Sequence, residues 1–175
     1  MKIVFRDLLD KENSKKIASI ISDAVVAKPE RMDELMDLFF DKDLRTCQRA
    51  AWPVGLLADK NPKLLEPYIK RMLDNLDSPH HDAVIRNTFR TFQETDFPAE
   101  LEGIAFDKAF DFFLEINNAI AIRVFAMTVC GNIAMKYPEL GQELIPVIEE
   151  GMPHGSAAYR SRGNSIIKKL RKRML

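Results

Sequence analysis

The sequence predicts an all-α fold, a short solenoid of about five antiparallel helix pairs in which residues 1–175 form one domain. Three observations carry that expectation. Apolar residues recur at the three- and four-residue spacing of a buried helix face, as in Leu65, Tyr68, Ile69, Met72, Leu73 and Leu76. No stretch alternates apolar and polar residues over strand length. Arginines stand at 49, 86, 123 and 160, in steps of 37, each followed by an apolar helical stretch, and thirteen positions before them lie Met36, Leu73, Phe110 and Val147. A period of that length marks stacked helix pairs, because one pair cannot bury its apolar stripe alone.

The helices follow in order. Ile3-Val4-Phe5 opens the first, at 3–9, and Asp10 is placed to cap the next. Ile17, Ile20, Ile21, Ala24 and Val25 line one face of a helix over 14–27. Pro29 starts a helix over 30–41, at the first-turn position where a missing N–H is harmless. Asp43 caps a helix over 44–59 that carries Trp52, Pro53 and Leu56; Pro53 removes the bond to the Arg49 carbonyl and should kink it. Pro62 precedes the helix over 63–77, and His80-His81-Asp82 precede the one over 82–93, with Phe89 and Phe92 inside. Pro98 opens 98–115, where Phe106, Ala109, Phe110 and Phe113 share a face, and Asn117-Asn118 serve the helix over 118–136. Pro138 opens 139–152, and His154-Gly155-Ser156 lead into 156–173, whose stripe is Ile166, Ile167 and Leu170. Eight of the eleven Phe fall between Phe89 and Phe125, and Val124 to Met135 is apolar on nearly every face. The third and fourth pairs are therefore expected to hold most of the stability.

Composition narrows the function classes. With 46% hydrophobic and 30% charged residues the chain is expected to fold, and 26 basic against 26 acidic side chains leave no global field for nucleic acid or membrane. The first apolar run is too short for a secretion signal, and the longest, Val124 to Met135, is too short to span a bilayer. Cys47 and Cys130 lie in apolar segments without a C-x-x-C spacing, which suits two core residues in a reducing cytoplasm. A cytoplasmic location without membrane contact is expected.

At the level of the unit, the sequence resembles the HEAT-repeat, armadillo-like family, whose helix pairs carry an Asp in the turn and an Arg or Lys six residues later. Asp43 to Arg49 and Asp10 to Lys16 keep that spacing, whereas the other three units keep the Arg but hold His80, Asn117 and His154 in place of the Asp. The resemblance covers essentially the whole chain and implies a right-handed solenoid whose second helices line a concave face. It implies an architecture rather than a chemistry.

The seven glycines form no nucleotide-binding or nucleophile-elbow fingerprint, and the three histidines lack the H-x-x-x-H and Glu-x-x-His spacings of helical metal sites. No catalytic residue, cofactor site or metal site is nominated, and the chain is read as a non-enzyme. Three groups stand out as possible partner contacts. Arg49, Arg86, Arg123 and Arg160 either line a concave stripe for an anionic partner or tie repeats together through turn carboxylates and helix-end carbonyls. Trp52 is either an aromatic anchor in a groove or a core residue. Arg160 to Leu175 holds seven basic residues and no acid, Lys168, Lys169, Lys172 and Arg173 among them, which leaves residues 1–159 at −7. That end is either the solvated face of a terminal repeat or a contact for an anionic partner. A protein- or peptide-binding scaffold is the expected function. The alternative is a DNA-binding protein akin to HEAT-like alkylated-base glycosylases, against which zero net charge and the lack of a broad basic stripe argue. Weak head-to-tail self-association is a further expectation, with the acids at Asp33, Glu34, Asp37, Asp41 and Asp43 facing the basic end of a second copy.

Overall fold

The computed structural model describes residues 4–79 and 81–174, and among these it contains ten α-helices and no strand. By internal packing the chain divides into two compact units, Met1–Asp96 and Phe97–Leu175.

The first unit holds α1 (Phe5–Lys11), α2 (Lys15–Ala27), α3 (Met32–Phe39), α4 (Leu44–Lys60), α5 (Ile69–Asn75) and α6 (Asp82–Phe92). Helices α3 and α5 each begin as a 3-10 stretch, Pro29–Arg31 and Pro62–Tyr68. The second is long because it contains two prolines: Pro67 has no N–H to give the carbonyl four residues back, so α-helical bonding starts only beyond it. Pro53 acts differently, since α4 runs unbroken from Leu44 to Lys60 with Pro53 buried inside it. Helices α1, α2, α3 and α6 all pack on α4, whose Cys47, Ala50, Ala51, Val54 and Leu57 are fully buried. Gly55 lets α6 approach closely; a Cβ there would stand 2.1 Å from Asn87 Oδ1.

The second unit is built from α7 (Ala99–Leu114), α8 (Ile120–Ala134), α9 (Pro138–Gly151) and α10 (Ala157–Met174). Helix α8 is covered by the other three, which explains its lack of a polar face. Large, fully buried side chains are not concentrated in the third and fourth pairs, contrary to the expectation from the Phe distribution. Phe5, Ile21, Leu35, Met36 and Phe39 are as buried as Phe89, Phe92 and Phe113, whereas Phe110, Phe112 and Phe125 are only half-buried. Phe counts misled because aliphatic residues fill the first two pairs.

Capping follows the turn residues in part. Asp43 Oδ1 accepts the Thr46 N–H at 2.8 Å, His81 Nδ1 accepts the Ala83 N–H at 3.0 Å, and Ser156 Oγ accepts the Tyr159 N–H at 3.1 Å. Asp10 does not cap α2: α1 continues through it to Lys11, and Ser14 Oγ takes the Ile17 N–H instead. Nor do Asn117 and Asn118 cap α8, which starts from Ala119 without a side-chain cap; the Asn118 amide donates back to the Phe112 carbonyl. His80 lies outside the described residues.

Candidate functional site

The four periodic arginines occupy equivalent sequence positions and make different contacts. Arg49 donates to the Leu9 and Asp10 carbonyls at 2.5 and 3.2 Å, joining its pair to the end of α1. Arg123 Nε donates to the Phe113 carbonyl at 3.0 Å, and its guanidinium lies 5.6 Å from the centre of the Tyr159 ring. Arg160 donates to the Gly155 carbonyl in its own turn at 2.5 Å. Arg86 is exposed and has no hydrogen bond or ion pair among the described residues. Arg49 and Arg86 belong to the first unit, Arg123 and Arg160 to the second. Trp52 is half-buried on α4, beside the buried Ala51 and Pro53.

The acidic cluster of the first unit is engaged internally. Glu34 accepts the Phe5 N–H and pairs with Arg31, Asp33 accepts the Tyr68 hydroxyl, Asp37 pairs with Arg71, and Asp41 pairs with Arg6. Its members therefore fasten α3 to α1 and to the next pair. Burial first, and then the Asp33 bond, push the Tyr68 phenol up to about 12. The Asp43 N–H, and then Arg6, hold the Asp41 carboxyl below its ordinary range.

On the basic end, Tyr159, Gly163, Ile166, Ile167 and Leu170 are buried, while Lys168, Lys169, Lys172 and Arg173 are exposed with no partner among the described residues. Arg171 differs, since it pairs with Glu149 of α9 at 2.7 Å.

Two recesses lie along α8 and α10. One, of about 220 Å³, is lined by Thr128, Gly131, Asn132, Met135, Arg162, Ser165, Ile166 and Lys169. The other, more open and about 510 Å³, is lined by Ile120, Ala121, Val124, Phe125, Ala158, Ser161 and Arg162. Arg162 belongs to both, and no acidic residue lines either. Thr128 and Asn132 are four residues apart, and Arg162, Ser165 and Lys169 are spaced by three and four, so each set shares one helix face. The floor is tight, because a Cβ on Gly131 would lie 2.8 Å from Ile166 Cγ2. Arg162 is half-buried and donates to Thr128 Oγ1 at 2.6 Å, while that hydroxyl donates to the Val124 carbonyl at 2.9 Å. A guanidinium so anchored is oriented before anything binds.

Of the residues nominated singly from sequence, Lys169 lines one of these two recesses; Arg162 entered only as a member of the basic block, and Thr128, Asn132 and Ser165 were not nominated. Their helical spacing was visible, but nothing in the chain told which helix they would face. Among the described residues no group of His, Cys, Asp and Glu could hold a metal ion, and no helix is long and apolar enough to cross a membrane.

Helix pairs that stack within each unit, α2 on α4 and α4 on α6 in the first and α8 on α10 in the second, are the arrangement of a helical repeat protein of the α-solenoid class. A family model described as the HEAT repeat domain matches residues 5–170, and the chain belongs to the HEAT repeat family. Comparison with curated proteins and with solved structures gives no significant match.

Proposed function

We propose that this chain is a non-enzymatic scaffold that holds a protein or peptide partner on the surface of its second helices. The supporting observation is the pair of adjoining recesses along α8 and α10, polar and cationic at one end and apolar at the other, in a repeat fold that commonly mediates protein interactions. Lys168, Lys172 and Arg173 lie on the same helix and add long-range attraction for an anionic partner, while Arg49, Arg86, Arg123, Arg160 and Trp52 are secondary contacts in this reading. Attraction of this kind falls as salt shortens the screening length from ~10 Å at 0.1 M towards ~3 Å at 1 M.

The test is capture from native lysate on the immobilised full chain, with and without nuclease, beside a variant carrying Lys168→Glu, Lys169→Glu, Lys172→Glu and Arg173→Glu. Protein capture that survives nuclease and weakens in the variant, at an unchanged helical circular-dichroism signal, is the expected result. Capture that disappears with nuclease would instead assign the surface to nucleic acid.

A further inference from the structure

We infer that the α8–α10 surface takes a short extended peptide in which an apolar side chain and an acidic one stand two to four residues apart. The inference rests on the scaffold reading and names the partner's chemistry. Residues 120–125 of α8 face 158–162 of α10, and residues 128–135 face 162–169, so the two helices run in the same direction and the recesses follow one another along a single trough.

The first recess is walled by Ile120, Ala121, Val124, Phe125 and Ala158. Ile120 is 55% exposed, so the apolar wall is open to a partner at that end of the trough. The second recess is lined by no acidic residue and presents the exposed Lys169, with Ser165 one turn before it and the Thr128-anchored Arg162 adding a second positive charge. The Lys169 ammonium suits a carboxylate, which it can meet with a charge-assisted hydrogen bond.

Spacing ties the two together. Along α10 the recess centres are about 5–6 residues apart, or ~8 Å at 1.5 Å per residue, and along α8 about 9 residues, or ~13 Å. An extended chain advances about 3.3 Å per residue, which places the two side chains two to four positions apart. A nucleic-acid strand would satisfy the cations but not the apolar wall, which offers only the half-buried Phe125 as an aromatic surface.

A library of random dodecapeptides displayed on phage and selected on the full chain tests this. The enriched sequences should share an apolar residue two to four positions from Asp or Glu. A synthetic peptide of that consensus, followed by fluorescence anisotropy, should lose at least about tenfold in affinity with Lys169→Glu and again with Ile120→Asp. Both positions are exposed, so neither variant threatens the fold, and Lys63→Glu, an exposed charge reversal in the first unit, should change affinity by less than about threefold. Enriched peptides without an acid, or binding indifferent to both variants, would overturn this site while leaving peptide binding intact. Failure to enrich any peptide would overturn it together with the scaffold reading if lysate capture also failed. Tighter binding of an oligo-dT strand at Lys169, or a dimer in sedimentation that Lys169→Glu dissolves, would assign the trough to nucleic acid or to a second copy.

Discussion

Arg123 and Arg86 occupy the same place in successive repeats, yet only one is fastened, and the difference is decided by what each side chain can reach. Arg123 satisfies an orphan carbonyl at the end of α7 and lies over the Tyr159 ring, whereas Arg86 extends into solvent. Arg123→Ala should therefore cost about 1.5–3 kcal/mol in urea unfolding, the range for a hydrogen bond to a charged group, without any ligand present. Arg86→Ala should stay within about 0.5 kcal/mol. Equal losses in the two variants would mean that repeat position, rather than contact, sets their role. The carboxylates make a second residue-level case. Asp43 is held below its ordinary range by the Thr46 hydroxyl and N–H, Asp23 by Lys60, and Asp41 by the Asp43 N–H and Arg6. A depressed folded value means that the unfolded chain binds more protons, so this stability is present above the ordinary carboxylate pKa of ~3.9 and is lost as pH falls through the folded value. Asp43→Asn keeps an acceptor for the cap but has no proton to take up, so its urea midpoint should fall less between pH 5 and pH 2 than that of the parent. An identical fall would place the acid sensitivity elsewhere.

At the scale of the helix, periodicity proved readable because a buried stripe must recur at helical spacing whatever its neighbours are. The stripe Leu65, Ile69, Met72, Leu73 and Leu76 is buried throughout, and Leu73 is 1% exposed. Leu73→Ala should cost about 2–5 kcal/mol from lost transfer energy and the cavity left behind, measured as a shift in denaturant midpoint at constant slope. A loss below about 0.5 kcal/mol would contradict that face of α5 being core. Helix ends were less legible where two local signals competed. The six-residue step from Asp10 to Lys16 imitates the repeat motif, yet Ser14 stands three residues before Ile17 and is the better-placed acceptor. Pro62 and Pro67 were visible in the chain, but their joint effect, a 3-10 stretch through Tyr68, needs the bonding pattern rather than the apolar pattern. The recess between α8 and α10 was hidden for a further reason. Thr128, Asn132 and Ser165 are ordinary surface residues on an isolated helix, and only the approach permitted at Gly131 sets them around Arg162. The basic character of that end, by contrast, was plain from the seven cations after residue 159.

For the whole molecule, the open matter is cooperativity. The 37-residue arginine step passes from Arg86 to Arg123 without interruption, and the family match runs through the same stretch, so the repeat pattern places no boundary there. Packing, in contrast, groups the chain as Met1–Asp96 and Phe97–Leu175. In repeat proteins stability is a sum of unit and nearest-neighbour terms, and a chain of this length loses its units together when the neighbour terms outweigh differences among the units. We expect one cooperative domain, as the length and the unbroken period suggest. Trp52, the single tryptophan, belongs to the first unit, so its fluorescence follows that unit alone, while far-ultraviolet circular dichroism follows all ten helices among the described residues. Coincident urea transitions by the two probes are the expected outcome, with one midpoint and one slope. A fluorescence midpoint displaced from the dichroism midpoint, or a dichroism curve that needs two steps, would show that the chain unfolds in parts. Repeating the measurement on Leu73→Ala then identifies the part, because a core substitution in the first unit must move the Trp52 transition. If the whole dichroism curve moves with it, the repeats are coupled; if a portion of the helical signal stays at the parental midpoint, that portion unfolds independently of the first unit.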